Sequence, residues 1–299
     1  MPRAARRAGV DVIHAPAYTA PFWPGLPLVL TIHDVSYELH PEWYPYKRDW
    51  LRRAFYRGSA HAATHILTVS RFSAAEIHRA YGIPLERITV APLGADATFA
   101  PGDPGVRVVL PEGVSPPYVL HVGDLHERRN LPMLLDAVLA ARRHFGAMPA
   151  LTLVLVGKDL GVADALCAVA ARAGARDAVV HLSGVNEKQL HALYRGAAAL
   201  VYPSLYEGFG LPIVEALSSG TPVIASSAAA LPELVGGAGI LLEPTDVDAW
   251  RHSIVDVVNS DARRARMRTD GLRQASAFTW DRTARLTLAA YRRVVQRAS

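Results

Sequence analysis

Short, continuous apolar runs alternate with longer stretches of helical periodicity along the whole chain. The runs are Val10–Ala15, Leu28–His33, His65–Ser70, Ile88–Pro92, Tyr118–Val122, Leu151–Val156, Val179–Leu182, Ala199–Tyr202, Pro222–Ala225 and Gly239–Leu242. Most of them are continuously apolar rather than alternating, as strands buried on both faces should be. Helical patterns such as Leu131–Phe145 and Glu187–Arg195 lie between them. Repeated strand–helix units predict α/β architecture, with doubly wound parallel sheets and right-handed crossovers. Pro101-Gly102-Asp103-Pro104-Gly105 is the densest Pro/Gly cluster and the best linker candidate. The reading is therefore two Rossmann-like domains, residues 1–105 and 106–278, followed by a closing helix at 279–299 that packs back toward the first. In such sheets a ligand lies in the cleft at the carboxyl ends of the strands.

Composition bounds the remaining classes. A chain of 299 residues, 51% hydrophobic, fits one large or two medium domains with substantial cores. Its longest apolar runs, such as Ala197–Tyr202, are too short to span a bilayer. The amino end, MPRAARRAGV, is basic and no apolar segment of signal-peptide type follows. It reads as the tail of a helix leading into the first strand. The single Cys167 excludes an intramolecular disulfide. Its Ala-rich helical surroundings predict a small buried residue in a reducing, cytoplasmic compartment.

The net charge of +5 and a pI near 9.5 point to acidic partners. Basic residues cluster at Lys47–Arg57, interleaved with Trp50, Phe55 and Tyr56, and again at Arg263–Arg268. The first cluster admits two readings. It could lie peripherally on an anionic membrane at the inner face, where lipid-linked acceptors sit. It could equally bury its aromatics and show its arginines to water, and this second reading is slightly preferred. No groove-reading motif suggests nucleic acid.

The most informative stretch is residues 202–215, YPSLYEGFGLPIVE. Glu207 and Glu215 flank a Gly-x-Gly turn that opens a helix, with Pro212 suited to the first helical position. Free N–H groups and the positive dipole end suit a diphosphate. Carboxylates so near a phosphate make sense if they accept hydrogen bonds from hydroxyls on either side of it. A nucleoside diphosphate sugar offers that order: sugar hydroxyls, diphosphate, ribose hydroxyls. Taken as a lone pair, Glu207 and Glu215 read more simply as a turn residue and a first-turn acid. Their surroundings decide otherwise.

Those residues resemble the E-x₇-E signature of glycosyltransferase family 4, retaining enzymes of the GT-B fold. The likeness extends through YVLHVGDLHERRNLPMLL (Tyr118 to Leu135), LVLVG (Leu153 to Gly157), SGVNEKQLHALY (Ser183 to Tyr194) and SSGTPVIASSAAALPELVGGAGILLEP (Ser218 to Pro244). Upstream, LTIHD (Leu30 to Asp34), ILTVSRFS (Ile66 to Ser73) and ITVAPLG (Ile88 to Gly94) are similar to pieces of the acceptor domain, and FTWDRTARLTLAAY (Phe278 to Tyr291) to the closing helix. The resemblance starts within the family's first domain. Its opening strand, Gly-rich turn and helix have no counterpart here, so the expected architecture is GT-B with a truncated first domain. A gap or re-pairing of the remaining strands is expected to follow.

The resemblance implies roles. Arg128 and Arg129 occupy a phosphate-clamp position ahead of Asn130, supplying the cations that a departing diphosphate needs. Asp124 stands where the family often has arginine, and nearby His126 could add a hydrogen bond. Glu207 would hold the transferred sugar, Gly208, Phe209, Gly210 and Leu211 would present N–H groups, and Glu215 would hold the ribose. Val185 would meet the base, and His33 would point toward sugar or acceptor. No residue stands out as a nucleophile, consistent with a front-face mechanism assisted by the leaving phosphate.

No metal or other cofactor is expected. Asp246-Val247-Asp248 reads as a helix cap and first-turn acid. His61 and His65 have no evident third ligand, and Gly94-Ala95-Asp96 reads as a turn.

The implied function is transfer of a sugar, mannose from GDP-mannose as first choice, to a glycan or lipid-linked acceptor in surface-polysaccharide assembly. A noncatalytic truncated remnant that binds nucleotide sugar or a partner protein is the alternative. An epimerase or hydrolase on a similar fold is a third.

Overall fold

A computed structural model describes residues 2–44, 49–103, 105, 108–144 and 151–298. Each apolar run contributes a strand: β1 (Ile13–Ala15), β2 (Leu28–Thr31), β3 (His65–Thr68), β4 (Ile88–Val90), β5 (Tyr118–Val122), β6 (Thr152–Val156), β7 (Val179–Leu182), β8 (Ala199–Tyr202), β9 (Val223–Ser226) and β10 (Ile240–Leu242). All pair in parallel, in a four-stranded sheet ordered β1-β2-β3-β4 and a six-stranded sheet ordered β10-β9-β8-β5-β6-β7.

The chain divides into two units. The first holds residues 1–94, 207–209 and 279–299, and the second holds residues 95–206 and 210–278. In the first, the strands pair directly in chain order, leaving no gap within the sheet. Successive side chains feed opposite faces, as the pleat demands. Leu28, Leu30 and Ile66 pack with Ala60, Ala74 and Ile77 from the helices Trp50–Ala62 and Arg71–Tyr81. Val29 and Leu67 pack on the other face against Ala290 and Val294 of the helix Trp280–Ala298. Tyr291 binds His14 Nδ1 at 2.6 Å, which ties that helix to β1.

In the second unit the strand order reverses between β5 and β8. The chain lays β6 and β7 on one side of β5, then returns to place β8, β9 and β10 on the other. Such a switch point leaves a crevice beyond the carboxyl ends of the two central strands. The core around it includes fully buried Trp250, Tyr118, Tyr194 and Tyr202.

Several expectations change. The units divide at Gly94 rather than after Gly105. Composition marks 101–105 as turn-rich, but the preceding Phe99 packs on His191 and Tyr194, and Arg195 Nε donates to the Ala100 carbonyl at 2.8 Å. Cys167 is exposed, not buried. Its helix, Ala163–Arg172, buries Ala163, Leu166 and Ala170, and Cys167 lies about 70° from the centre of that stripe. Trp50 and Phe55 are exposed, against the preferred reading; the helix Trp50–Ala62 buries only Ser59 and Ala60, near its carboxyl end.

Of that cluster, Arg53 and Arg57 pair with Glu38. The Arg263–Arg268 cluster is also partly occupied internally, Arg263 pairing with Asp256 and Arg264 with Asp261. Lys47 and Arg48 of the first cluster, Pro104 of the linker and the predicted helix end Phe145 lie outside the described residues. Among the described residues, no helix is long and apolar enough to cross a membrane.

Candidate active site

The switch point of the second sheet assembles a buried cation. After β5 the chain turns through Gly123-Asp124 into a short helical turn, Glu127–Arg129, and Asn130 in the left-handed region starts the helix Leu131–His144. His126 Nδ1 accepts from the Arg128 N–H at 3.2 Å. The Leu205 N–H donates to the Arg128 carbonyl at 2.9 Å, joining this loop to the one after β8.

Arg129 is 9% exposed. Its Nη1 donates to the Tyr202 hydroxyl at 2.6 Å and faces Ser204 Oγ at 3.4 Å. Its guanidinium carbon lies 5.4 Å from the Tyr202 ring centroid. A buried guanidinium needs partners, and these two hydroxyls take up part of its donor capacity. His121 stacks on Tyr202, with centroids 5.2 Å apart and planes 18° off parallel. Burial, reinforced by the Arg129 charge, pushes the His121 imidazole down to about 3. It is therefore a neutral ring stacked on Tyr202.

Glu215 lies on the helix Leu211–Ser218, capped by Gly210 at φ 113°. Only glycine adopts that conformation freely. Leu211 opens the helix and Pro212 stands second, one place later than its spacing suggested; the turn still has no intrahelical partner for the missing N–H. Tyr194 donates its hydroxyl to Glu215 Oε2 at 2.7 Å. Burial raises the Glu215 carboxyl above its ordinary range, and this hydrogen bond opposes the rise. Val185 lines a cavity of about 470 Å³ between the segments after β6 and β7, together with Gly157, Lys158, Asp159, His181 and Ser183.

The first unit holds the other predicted residues. Glu207, Gly208 and Phe209 group with it, and the Glu207 and Phe209 side chains are buried. The Gly208 carbonyl accepts from Ser70 Oγ at 2.7 Å, and the Ser73 hydroxyl is shared between the carbonyls of Gly208 (3.2 Å) and His33 (2.9 Å). A side chain at Gly208 would meet the His33 carbonyl at 2.6 Å, so the approach itself requires glycine. His33 follows β2 and bonds the Pro16 carbonyl. Burial holds its imidazole below the ordinary value, while Asp34 and that carbonyl pull the other way. A neutral ring that donates one N–H to Pro16 keeps its second nitrogen as an acceptor.

Tyr18 packs edge-on to His33, with centroids 5.7 Å apart. Its φ of 53° is uncommon for a residue with a side chain and frequent at functional positions. Tyr18, Tyr194 and Tyr202 were not singled out from sequence. Tyr194 and Tyr202 sit at the ends of apolar patterns, where a core role explains them equally well. The remaining decoys are local structure. Asp246 Oδ1 caps the helix Val247–Asn259 through the Ala249 N–H at 2.9 Å. Asp96 Oδ1 accepts from the Thr98 N–H, and the His65 ring bonds Thr89 Oγ1.

Residues 106–274 match the family model of the glycosyl transferases group 1, and residues 1–99 match that of glycosyltransferase family 4. The O-antigen chain mannosyltransferase B of Escherichia coli is 34% identical over 272 residues, which are 88% of this chain and 70% of that protein. The MMP alpha-(1->4)-mannosyltransferase of Mycolicibacterium hassiacum is 33% identical over 289 residues, 92% of this chain and 67% of that one. In fold, the chain is similar to sucrose-phosphate synthase from Thermosynechococcus elongatus, with a TM-score of 0.77 and 21% identity, covering 99% of this chain and 76% of that one. WaaG, a glycosyltransferase involved in lipopolysaccharide biosynthesis, gives a TM-score of 0.73 at 19% identity, covering 96% and 79%. Two parallel-sheet α/β domains and matches spanning both of them lead to one conclusion: the chain belongs to the group 1 glycosyl transferases, the family 4 glycosyltransferases of GT-B fold.

Proposed function

We propose that this glycosyltransferase moves a hexose from a nucleoside diphosphate sugar to a glycan or lipid-linked acceptor, with retention of configuration, in assembly of a surface polysaccharide. GDP-mannose is the first choice of donor, supported by the two mannosyltransferases among its relatives. The observation that carries the reading is Arg129: a buried guanidinium, held by the Tyr202 hydroxyl, at the switch point of a parallel sheet. A site so built favours an anionic ligand.

In this reading Arg129 and Arg128 take up the charge that develops on the leaving diphosphate, and no metal is required. The N–H groups of Gly208, Phe209, Gly210 and Leu211 face sugar and phosphates, and Glu207 orients the sugar. Glu215, fixed by Tyr194, accepts from ribose hydroxyls, and the cavity at Val185 takes the base. Neutral His33 accepts a hydrogen bond from a sugar or acceptor hydroxyl. Peripheral contact with an anionic membrane belongs to the same reading, because a lipid-linked acceptor is reached only there.

The test is incubation of the purified chain with labelled nucleotide sugars and lipid-linked acceptors. Transfer is expected from one donor. Glu207→Ala should lower turnover, and Glu215→Gln should raise the KM for donor roughly tenfold, as expected for a weakened charged hydrogen bond. Nucleotide binding without transfer would identify a noncatalytic binder, and free or inverted sugar a hydrolase or epimerase. Unchanged kinetics in both variants would remove the site assignment.

A further inference from the structure

The first unit carries an apolar surface that its own core does not use. Trp23 is 85% exposed, Trp50 70% and Leu51 62%, with Phe55 and Phe22 also exposed. Single exposed apolar residues are ordinary, but a contiguous group marks a contact surface. Here the residues adjoin. The Phe22 ring lies 4.9 Å from Phe55 and 6.1 Å from Trp23. It also covers Gly58 so closely that a side chain there would meet the ring at 2.8 Å. On the helix Trp50–Ala62, Leu51, Phe55 and Gly58 fall on one stripe, with Trp50 and Ala54 beside it.

The loop that carries Trp23 is fixed at two points. The Ala20 N–H donates to Ser59 Oγ at 3.1 Å, and the Gly25 carbonyl accepts from Arg6 Nη2 at 3.0 Å. Trp23 is therefore held out in water by a braced loop. A large apolar ring fixed there gains free energy when a partner covers it.

The charge around the patch selects the occupant. Arg3, Arg6 and Arg7 are exposed on the helix Pro2–Arg7, and Arg6 itself binds the loop two residues after Trp23. Arg52 is exposed next to Leu51 and pairs with Asp49. Glu38 is neutralised by Arg53 and Arg57 of the same helix. Aromatic rings with arginines at their margin match the boundary between acyl chains and anionic headgroups.

We propose that Phe22, Trp23, Trp50, Leu51 and Phe55 form a membrane-docking surface for an anionic lipid bilayer, with the arginines of the helix Pro2–Arg7 at the headgroup level. This gives a physical basis to the membrane contact in the functional reading. Its test needs neither donor nor acceptor, so the two stand or fall separately.

The experiment is co-sedimentation with phosphatidylcholine vesicles, with and without phosphatidylglycerol, together with tryptophan emission. The wild-type chain is expected to sediment with phosphatidylglycerol-containing vesicles, with blue-shifted emission, and far more weakly with phosphatidylcholine alone. Trp23→Ala combined with Trp50→Ala should lower partitioning at least about tenfold, since each ring removes a large apolar area. Arg3→Glu with Arg7→Glu should lower binding to the anionic vesicles only. Both pairs are exposed, and unchanged circular dichroism would confirm that the variants fold. Absent sedimentation, or sedimentation undiminished in the tryptophan variant, would overturn the proposal. So would a dimer in solution that the same tryptophan substitutions dissolve without any lipid binding, since the patch would then join two copies of the chain.

Discussion

Replacing Tyr202 with phenylalanine separates the cation at the switch point from its support. The guanidinium carbon lies 5.4 Å from the ring centroid, near the outer limit of a cation–π contact, whereas the Nη1 to hydroxyl distance is 2.6 Å. The hydrogen bond is therefore the larger interaction. Phenylalanine removes it and keeps the ring against Arg129 and His121. A hydrogen bond to a charged group contributes about 1.5–3 kcal/mol. Ser204 Oγ, at 3.4 Å, recovers little of that. If Arg129 binds the diphosphate, the guanidinium must be re-fixed on binding, and affinity for the nucleoside diphosphate should fall roughly ten- to a hundredfold. Calorimetric titration of GDP and UDP into the wild type, Tyr202→Phe, Arg129→Ala and the double variant measures this. Tyr202 acts through Arg129, so Tyr202→Phe should cost almost nothing once Arg129 is alanine. Equal losses with and without Arg129, or no loss at all, would refute the reasoning.

Other consequences follow from the same geometry. Tyr194→Phe leaves the Glu215 carboxylate without its 2.7 Å donor and should raise the KM for donor several-fold while kcat changes little; steady-state kinetics decide. Tyr18→Ala removes the ring against His33 and should lower turnover at unchanged nucleotide affinity, and a fall in affinity instead would show that Tyr18 shapes the donor side. His121 has its folded value near 3 against 6.5 for the free side chain, so between these values the unfolded chain holds the extra proton. Stability should accordingly drop by about 1.4 kcal/mol per pH unit on acidification through that window, and be fully retained above it. Denaturant unfolding of His121→Leu should lose this slope; an unchanged slope would assign it to other groups.

The strands were legible because buried parallel strands leave uninterrupted apolar runs, such as Leu153–Val156 and Ala199–Tyr202. The motif around Glu207 and Glu215 was legible because glycine spacing and a helix start are local. Trp50 and Phe55 were not, since a helix pattern does not say whether its apolar stripe meets a core; here the core ends at Ser59. Cys167 failed for the same reason, one position off a buried stripe. Tyr202 and Tyr194 read as core tyrosines, and their hydroxyls matter only because β8 returns beside β5 and because Glu215 meets Tyr194. Tyr18 depends on a left-handed backbone that its sequence context, without glycine or asparagine at that position, does not announce.

The central claim is retaining transfer from a nucleoside diphosphate sugar. Nuclear magnetic resonance of the product formed from GDP-mannose and a lipid-linked acceptor tests it most directly. A new mannosyl linkage with the donor's own anomeric configuration is the predicted result. Transfer with inverted configuration, or no product from GDP-mannose or any other nucleotide sugar, would contradict it.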